Sequence, residues 1–163
     1  MSTDDGTSQV GLENPSRGTA RRVAVVAEDE PGIRSLITSL LTLEGWEVHA
    51  TDTGSNVADL LDEYQPVLCL LDVMMPGKDG VEAMEAGRAR GHGPDDGTVY
   101  VMLTALGGPD DVMRGVISGA DDYITKPFDV DDLCDRVERW CGATGWELVD
   151  PESPGTVHEH LLY

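Results

Sequence analysis

Short apolar runs of strand length alternate with longer stretches of helical periodicity, and the alternation repeats five times. The strand-like runs are Arg22 to Ala27, Trp46 to Ala50, Val67 to Asp72, Val99 to Thr104 and Asp122 to Thr125. Pro31 sits where a helix start tolerates it, and Ile33, Leu36, Ile37, Leu40 and Leu41 follow at helical spacing up to Gly45. Val57, Leu60, Leu61 and Tyr64 mark a second helix that stops before Pro66, and Val81 and Met84 mark a weaker third that breaks at Gly91-His92-Gly93-Pro94. Val112, Met113, Val116 and Ile117 mark a fourth ending at Gly119. The series Val130, Leu133, Cys134, Val137, Trp140 and Cys141 marks a fifth, closed by Gly142. Five βα units in a row require a parallel sheet covered by helices on both faces. The run before Asp72 is apolar on both sides, as a central strand must be.

Such a sheet brings the C-terminal ends of its strands to one edge, where ligands of α/β folds bind. Four of the runs end on polar groups: Glu28-Asp29-Glu30, Asp72, Thr104, and Lys126-Pro127. Three of those four carboxylates, a hydroxyl and one of only two lysines would therefore converge. That set can hold a divalent cation on oxygen ligands, offer a nucleophilic carboxylate and neutralise an anionic oxygen. Each residue also has a plain structural reading. Asp72 could cap a turn, Glu28, Asp29 and Glu30 could be surface charge, Thr104 could start a helix, and Lys126 could be a loop cation. It is their joint arrival at the strand ends of one sheet that the plain readings leave unexplained.

Charge narrows the partners. Among 163 residues there are 31 acidic and 11 basic side chains, a formal net charge of −20. Such a surface repels a nucleic-acid backbone, so direct binding to DNA is not expected. It also repels itself, a strain that salt screens, which makes a cytoplasm of high ionic strength the natural setting. No apolar run reaches the ~18 residues of a membrane helix, and Met1 to Ala20 lacks the apolar stretch of a signal peptide, so a cytoplasmic location is expected. The three cysteines argue against a disulfide framework. Cys69 falls within an apolar strand, and a zinc site of Cys134, Cys141, His158 and His160 has no Cys-x-x-Cys pair behind it.

Four stretches carry a specific resemblance: Ala27-Glu28-Asp29-Glu30-Pro31, Leu71-Asp72-Val73-Met74-Met75-Pro76-Gly77-Lys78-Asp79-Gly80, Leu103-Thr104-Ala105, and Gly119-Ala120-Asp121-Asp122-Tyr123-Ile124-Thr125-Lys126-Pro127-Phe128. Together they resemble the receiver domain of two-component response regulators, across roughly Arg21 to Gly142. The resemblance implies a flavodoxin-like, doubly wound (βα)5 fold with strand order 2-1-3-4-5. It implies that Asp72 accepts a phosphoryl group from a sensor histidine kinase. Asp29 and Asp72 would hold Mg2+ with the main-chain carbonyl of Met74, and Glu28 would act in the same pocket through a metal-bound water. Lys126 would pair with Asp72 or its phosphoryl oxygens, Thr104 would shift to bond the phosphoryl group, and Tyr123 would follow from exposed to buried. Lys126-Pro127 would be a cis-proline turn. The side chains two places after the acceptor and two after the switch threonine, Met74 and Leu106, would flank the path of a hydrolytic water.

The expected organisation is a disordered tail over 1–20, a receiver domain over 21–142 and a short acidic tail over 143–163 carrying Trp146 and Leu161-Leu162-Tyr163. A tail of that length cannot form a helix-turn-helix output domain. The expectation is therefore a single-domain regulator that signals by phosphorylation-dependent binding to a downstream protein, or a relay intermediate or phosphate sink, and not a turnover enzyme. Two other classes fit less well. Phosphatases of the haloacid dehalogenase type use a strand-end Asp but need a second Asp two residues later, where this chain has Met74. A flavodoxin-like cofactor carrier needs a Ser/Thr/Gly phosphate loop after the first strand, where Glu28-Asp29-Glu30 would repel phosphate.

Overall fold

A computed structural model describes residues 22–105 and 119–141. The expected helix around Val112 to Ile117, Leu106, and both expected tails lie outside the described residues. The elements run β1 (Val23–Ala27), α1 (Pro31–Leu43), β2 (Glu47–Thr51), α2 (Val57–Tyr64), β3 (Leu68–Asp72), α3 (Gly80–Ala89), β4 (Val99–Ala105), β5 (Asp122–Lys126) and α4 (Val130–Cys141). Single 3-10 turns at Gly54–Asn56 and Pro94–Asp96 were not expected. The five strands form one sheet in the order β2-β1-β3-β4-β5, every neighbouring pair parallel. This is the flavodoxin-like order that the resemblance implied.

Period-2 alternation divides the sheet between two cores. Ala24, Val26, Leu68, Leu70, Val101 and Leu103 face Ile37 and Leu41 of α1 and Leu133, Val137 and Cys141 of α4. Val25, Ala27, Cys69, Leu71, Tyr100 and Met102 face Val57 and Leu61 of α2 and Ala83 and Met84 of α3. Helices on both faces explain why β1 and β3 are buried at every position, and why their sequences are continuous apolar runs.

The element ends differ slightly from the sequence reading. Trp46 precedes β2 instead of opening it: its N–H is taken by the Leu41 carbonyl at 3.0 Å while its ring packs into the core. β5 runs on to Lys126 because its ladder with β4 continues through Thr104–Thr125 and Ala105–Lys126. The weak periodicity of α3 is compensated at its start. The Asp79 carboxylate accepts from the Glu82 N–H at 2.8 Å, and the Glu82 carboxylate accepts from the Asp79 N–H at 2.9 Å. This reciprocal cap satisfies two donors that the first turn would otherwise leave open.

Candidate functional site

The registers carry the polar ends of β1, β3, β4 and β5 to one edge, since Ala27 pairs with Leu71, Asp72 with Leu103 and Ala105 with Lys126. Glu28 follows β1 directly and is fully buried, its main-chain N–H bound to the Thr51 carbonyl at 3.0 Å. Asp29, next in the chain, is exposed. Asp72 closes β3 and is 4% exposed, so the putting of its charge there must be compensated. One carboxylate oxygen each from Glu28, Asp29 and Asp72 lie within 4.8 Å of one another.

Compensation comes from Lys126. Its Nζ lies 2.6 Å from Glu28 Oε2 and donates to Asp72 Oδ2 at 3.0 Å. Asp72 Oδ1 accepts the Met74 N–H at 3.1 Å, so the same carboxylate turns the chain after β3 and faces the cation. The Glu28 contact is a short ion pair to a fully buried carboxylate. Burial pushes the Glu28 carboxyl up, Lys126 pulls it back and the Asp72 charge adds to the rise; the net direction is upward. Burial alone would lower Lys126, but the two carboxylates together outweigh it and hold the ammonium charged.

One cation among three carboxylates leaves an excess of negative charge on hard oxygen donors. That donor set fits a small divalent cation that keeps part of its water, as Mg2+ does. Thr104, at 3% exposure, lies on β4 beside this cluster's strand end, and its hydroxyl donates to the Ala105 carbonyl at 3.0 Å. Tyr123 is half-buried on β5 and packs against the core on the α2–α3 side. The Met74 side chain is 63% exposed. The Lys126–Pro127 peptide bond is cis. Glu28, Asp29, Asp72, Met74, Thr104 and Lys126 therefore lie at or beside the C-terminal strand ends, whereas Tyr123 is the second residue of β5, level with Met102.

The pair Asp121-Asp122, part of the most specific motif, turns out to do structural work. Asp121 Oδ2 accepts the Tyr100 N–H at 2.8 Å, and the Asp121 N–H donates to the Tyr100 carbonyl at 2.9 Å, which sets β5 beside β4. Asp122 is buried, bound by Arg136 Nη1 at 3.0 Å and by the Trp140 indole N–H at 3.0 Å, which fastens α4 to β5. Periodicity had assigned Trp140 only an apolar role.

A parallel five-stranded sheet in this order, with an acidic strand-end cluster and a lysine reaching across it, defines a flavodoxin-like α/β protein with its polar site at the C-terminal edge of the sheet. Residues 24–138 match the family model of the response regulator receiver domain, and the chain belongs to that family. It is 38% identical over 119 residues to the DNA-binding response regulator MtrA of Mycolicibacterium smegmatis; the match covers 73% of this chain and 50% of MtrA, so the chain spans about half the length of this relative. Among solved structures, the receiver domain of the sensor histidine kinase PA1611 from Pseudomonas aeruginosa, with magnesium coordinated in its active-site cleft, aligns with a TM-score of 0.67 and 26% identity over 74% of this chain and 98% of that one. The BeF3-activated N-terminal receiver domain of Klebsiella pneumoniae RstA aligns with a TM-score of 0.64 and 29% identity, covering 71% and 95%. The chain is thus a two-component signalling receiver, and among the described residues no helix is long and apolar enough to cross a membrane.

Proposed function

We propose that Asp72 is the phosphoryl acceptor of this receiver, that a sensor histidine kinase is the donor, and that the acyl phosphate changes the protein's affinity for a downstream protein. The observation that carries this is the Asp72 carboxylate itself, buried at the end of the central strand with one oxygen on the Met74 N–H and the other on Lys126. In the step, a carboxylate oxygen of Asp72 attacks phosphorus, the P–N bond to the donor imidazole breaks, and the imidazole leaves with the bonding electrons and takes up a proton. The product is a mixed anhydride on Asp72. Phosphoryl transfer of this kind is mostly positioning and charge neutralisation.

Asp29, Asp72 and the Met74 carbonyl would hold Mg2+, with Glu28 behind a bound water; the metal supplies the positive charge that lets a carboxylate approach a phosphoryl group. Lys126 stays charged and meets the phosphoryl oxygens. Thr104 bonds the transferred group, and Tyr123 moves with it, which converts a local charge change into a change of surface. The output is read as protein binding because the net charge of −20 opposes a nucleic-acid backbone. The DNA binding that MtrA carries in its name is a property of that protein. A relay or phosphate-sink role uses the same acceptor chemistry.

The test is mass spectrometry after treatment with acetyl phosphate and Mg2+. One phosphoryl group on Asp72 is expected, and none in Asp72→Asn. Labelling that persists in Asp72→Asn would overturn the assignment.

A further inference from the structure

The loop after Asp72 is held from outside by the loop after β2, and we propose that Thr53 and Gly54 are positioning residues that fix the 74–78 segment for metal binding. The proposal rests on the reading of Met74 as a main-chain ligand of Mg2+.

The contacts form a short chain from the end of β2 to the end of β3. Thr51 and Thr53 fold the chain back on itself: the Thr51 hydroxyl lies 3.3 Å from both the Thr53 N–H, which donates to it, and the Thr53 carbonyl. The Thr53 hydroxyl then works in both directions. It accepts the Ser55 N–H at 3.2 Å and donates to the Pro76 carbonyl at 3.3 Å, 23 residues away. A hydroxyl can do both at once, which a methyl cannot.

Packing reinforces the bond. Gly54 is buried directly against the Lys78 main chain; a Cβ at Gly54 would meet the Lys78 carbonyl carbon at 2.9 Å and overlap its oxygen. Across the gap Gly77 has a φ of 76°, and a Cβ there would come within 2.8 Å of Ser55 Oγ. Gly54 therefore lets the two backbones touch, and Gly77 leaves room for the Ser55 hydroxyl. No step of the proposed phosphoryl chemistry uses Thr53, Gly54 or Gly77.

The physical consequence concerns the carbonyl ligand. A side-chain carboxylate can rotate to find a metal, whereas a main-chain carbonyl points where its loop points. Mg2+ demands near-octahedral geometry at short distances, so small errors in that direction weaken binding. Groups behind a ligand typically govern metal affinity for this reason. Clamping Pro76 and Lys78 limits how far the Met74 peptide can swing, and thereby couples the β2 end of the sheet to the acceptor site.

The experiment compares wild type, Thr53→Val, Thr53→Ala, Thr53→Ser and Gly54→Ala, with Mg2+ affinity measured by calorimetry well below every melting temperature. Amide exchange of 73–79 is followed separately in EDTA. Thr53→Val, Thr53→Ala and Gly54→Ala should bind Mg2+ about tenfold more weakly, the lower end of what loss of a group behind a ligand causes. Thr53→Ser should bind like wild type, and amides of 73–79 should exchange faster only in the weak binders. Variants that melt lower yet bind Mg2+ as wild type does would reduce Thr53 to an ordinary cap and overturn the proposal. Wild type that shows no Mg2+ binding, with the loop loosened in Thr53→Val all the same, would sink the ligand reading and the proposal with it. The two failures are distinct, because loop exchange is read without metal.

Discussion

The Lys126 ammonium donates to the Asp72 carboxylate at 3.0 Å from 54 residues further along the chain, and the same nitrogen lies 2.6 Å from the fully buried Glu28. One cation thus neutralises part of two buried charges that sit on different strands. Removing it should leave both uncompensated. Asp72 and Lys126 close β3 and β5 on either side of β4, so a change of charge at one is felt by the other through this contact.

Lys126→Met is expected to lower stability in EDTA by about 3 kcal/mol, the size of loss when one partner of a buried pair is removed. Glu28→Gln/Lys126→Met should recover part of that loss, because only one buried carboxylate then remains unpaired. Urea unfolding of the two single variants and the double variant gives the coupling directly. Additive losses in that cycle would mean that Lys126 and Glu28 do not interact in solution.

Mg2+ should raise the melting temperature of wild type. Glu28, Asp29 and Asp72 crowd one edge with a single facing lysine, and a divalent cation that binds only the folded site stabilises it by mass action. Asp29→Ala should lose most of the increment. An equal rise in Asp29→Ala would point to general screening of an acidic protein instead of a site.

Much of this arrangement was legible in the sequence. Buried parallel strands are continuous apolar runs, and the residues after them must fall on one edge, so Glu28, Asp29, Asp72, Thr104 and Lys126 could be grouped before any coordinates. The third helix was read as weak because its apolar stripe is thin; the D-x-x-E cap at Asp79 and Glu82, which starts it, was there to be read and was passed over. Other features have no periodic signature. The bond from Thr53 to Pro76, the use of Asp121 to fasten Tyr100 and the use of Asp122 to hold Arg136 and Trp140 join loops and strands far apart in the chain. Nothing in local spacing announces them. The total burial of Glu28 was missed for a related reason, since three acidic residues in a row look alike until the fold turns one inward and leaves the next in solvent.

Salt should stabilise the domain. The chain carries a net charge of −20 with two lysines, and screening weakens self-repulsion between exposed charges. Unfolding free energy is expected to rise from low salt to molar KCl, measured with Mg2+ absent so that site binding does not contribute. A flat response would remove the argument for a high-salt setting.

Phosphorylation should act on the 104–123 stretch. Thr104 is buried on β4, Tyr123 is half-buried on the neighbouring β5, and their side chains are the proposed switch. Amide exchange with and without beryllofluoride, a phosphoryl mimic, should change most between Thr104 and Tyr123. A response confined to 50–64, next to β2 at the opposite edge of the sheet from β5, would refute the assignment.

The phosphorylated form should persist for long compared with rapidly reset receivers. Hydrolysis needs a water in line with the bond from Asp72 to phosphorus. Met74 stands two residues beyond the acceptor, its amide tied to Asp72 Oδ1 at 3.1 Å and its side chain 63% exposed beside the site. A thioether in that place cannot orient a water as an amide or carboxylate does, and its bulk can exclude one. Leu106, two residues beyond Thr104 and outside the described residues, is equally apolar. Decay of phosphorylated wild type against Met74→Asn/Leu106→Glu is the test, with the double variant expected to lose its phosphoryl group about a hundredfold faster, the lower end of what a group positioned to handle a reacting proton contributes. Equal decay rates would show that the apolar pair does not shield the anhydride and that the lifetime is set elsewhere in the site.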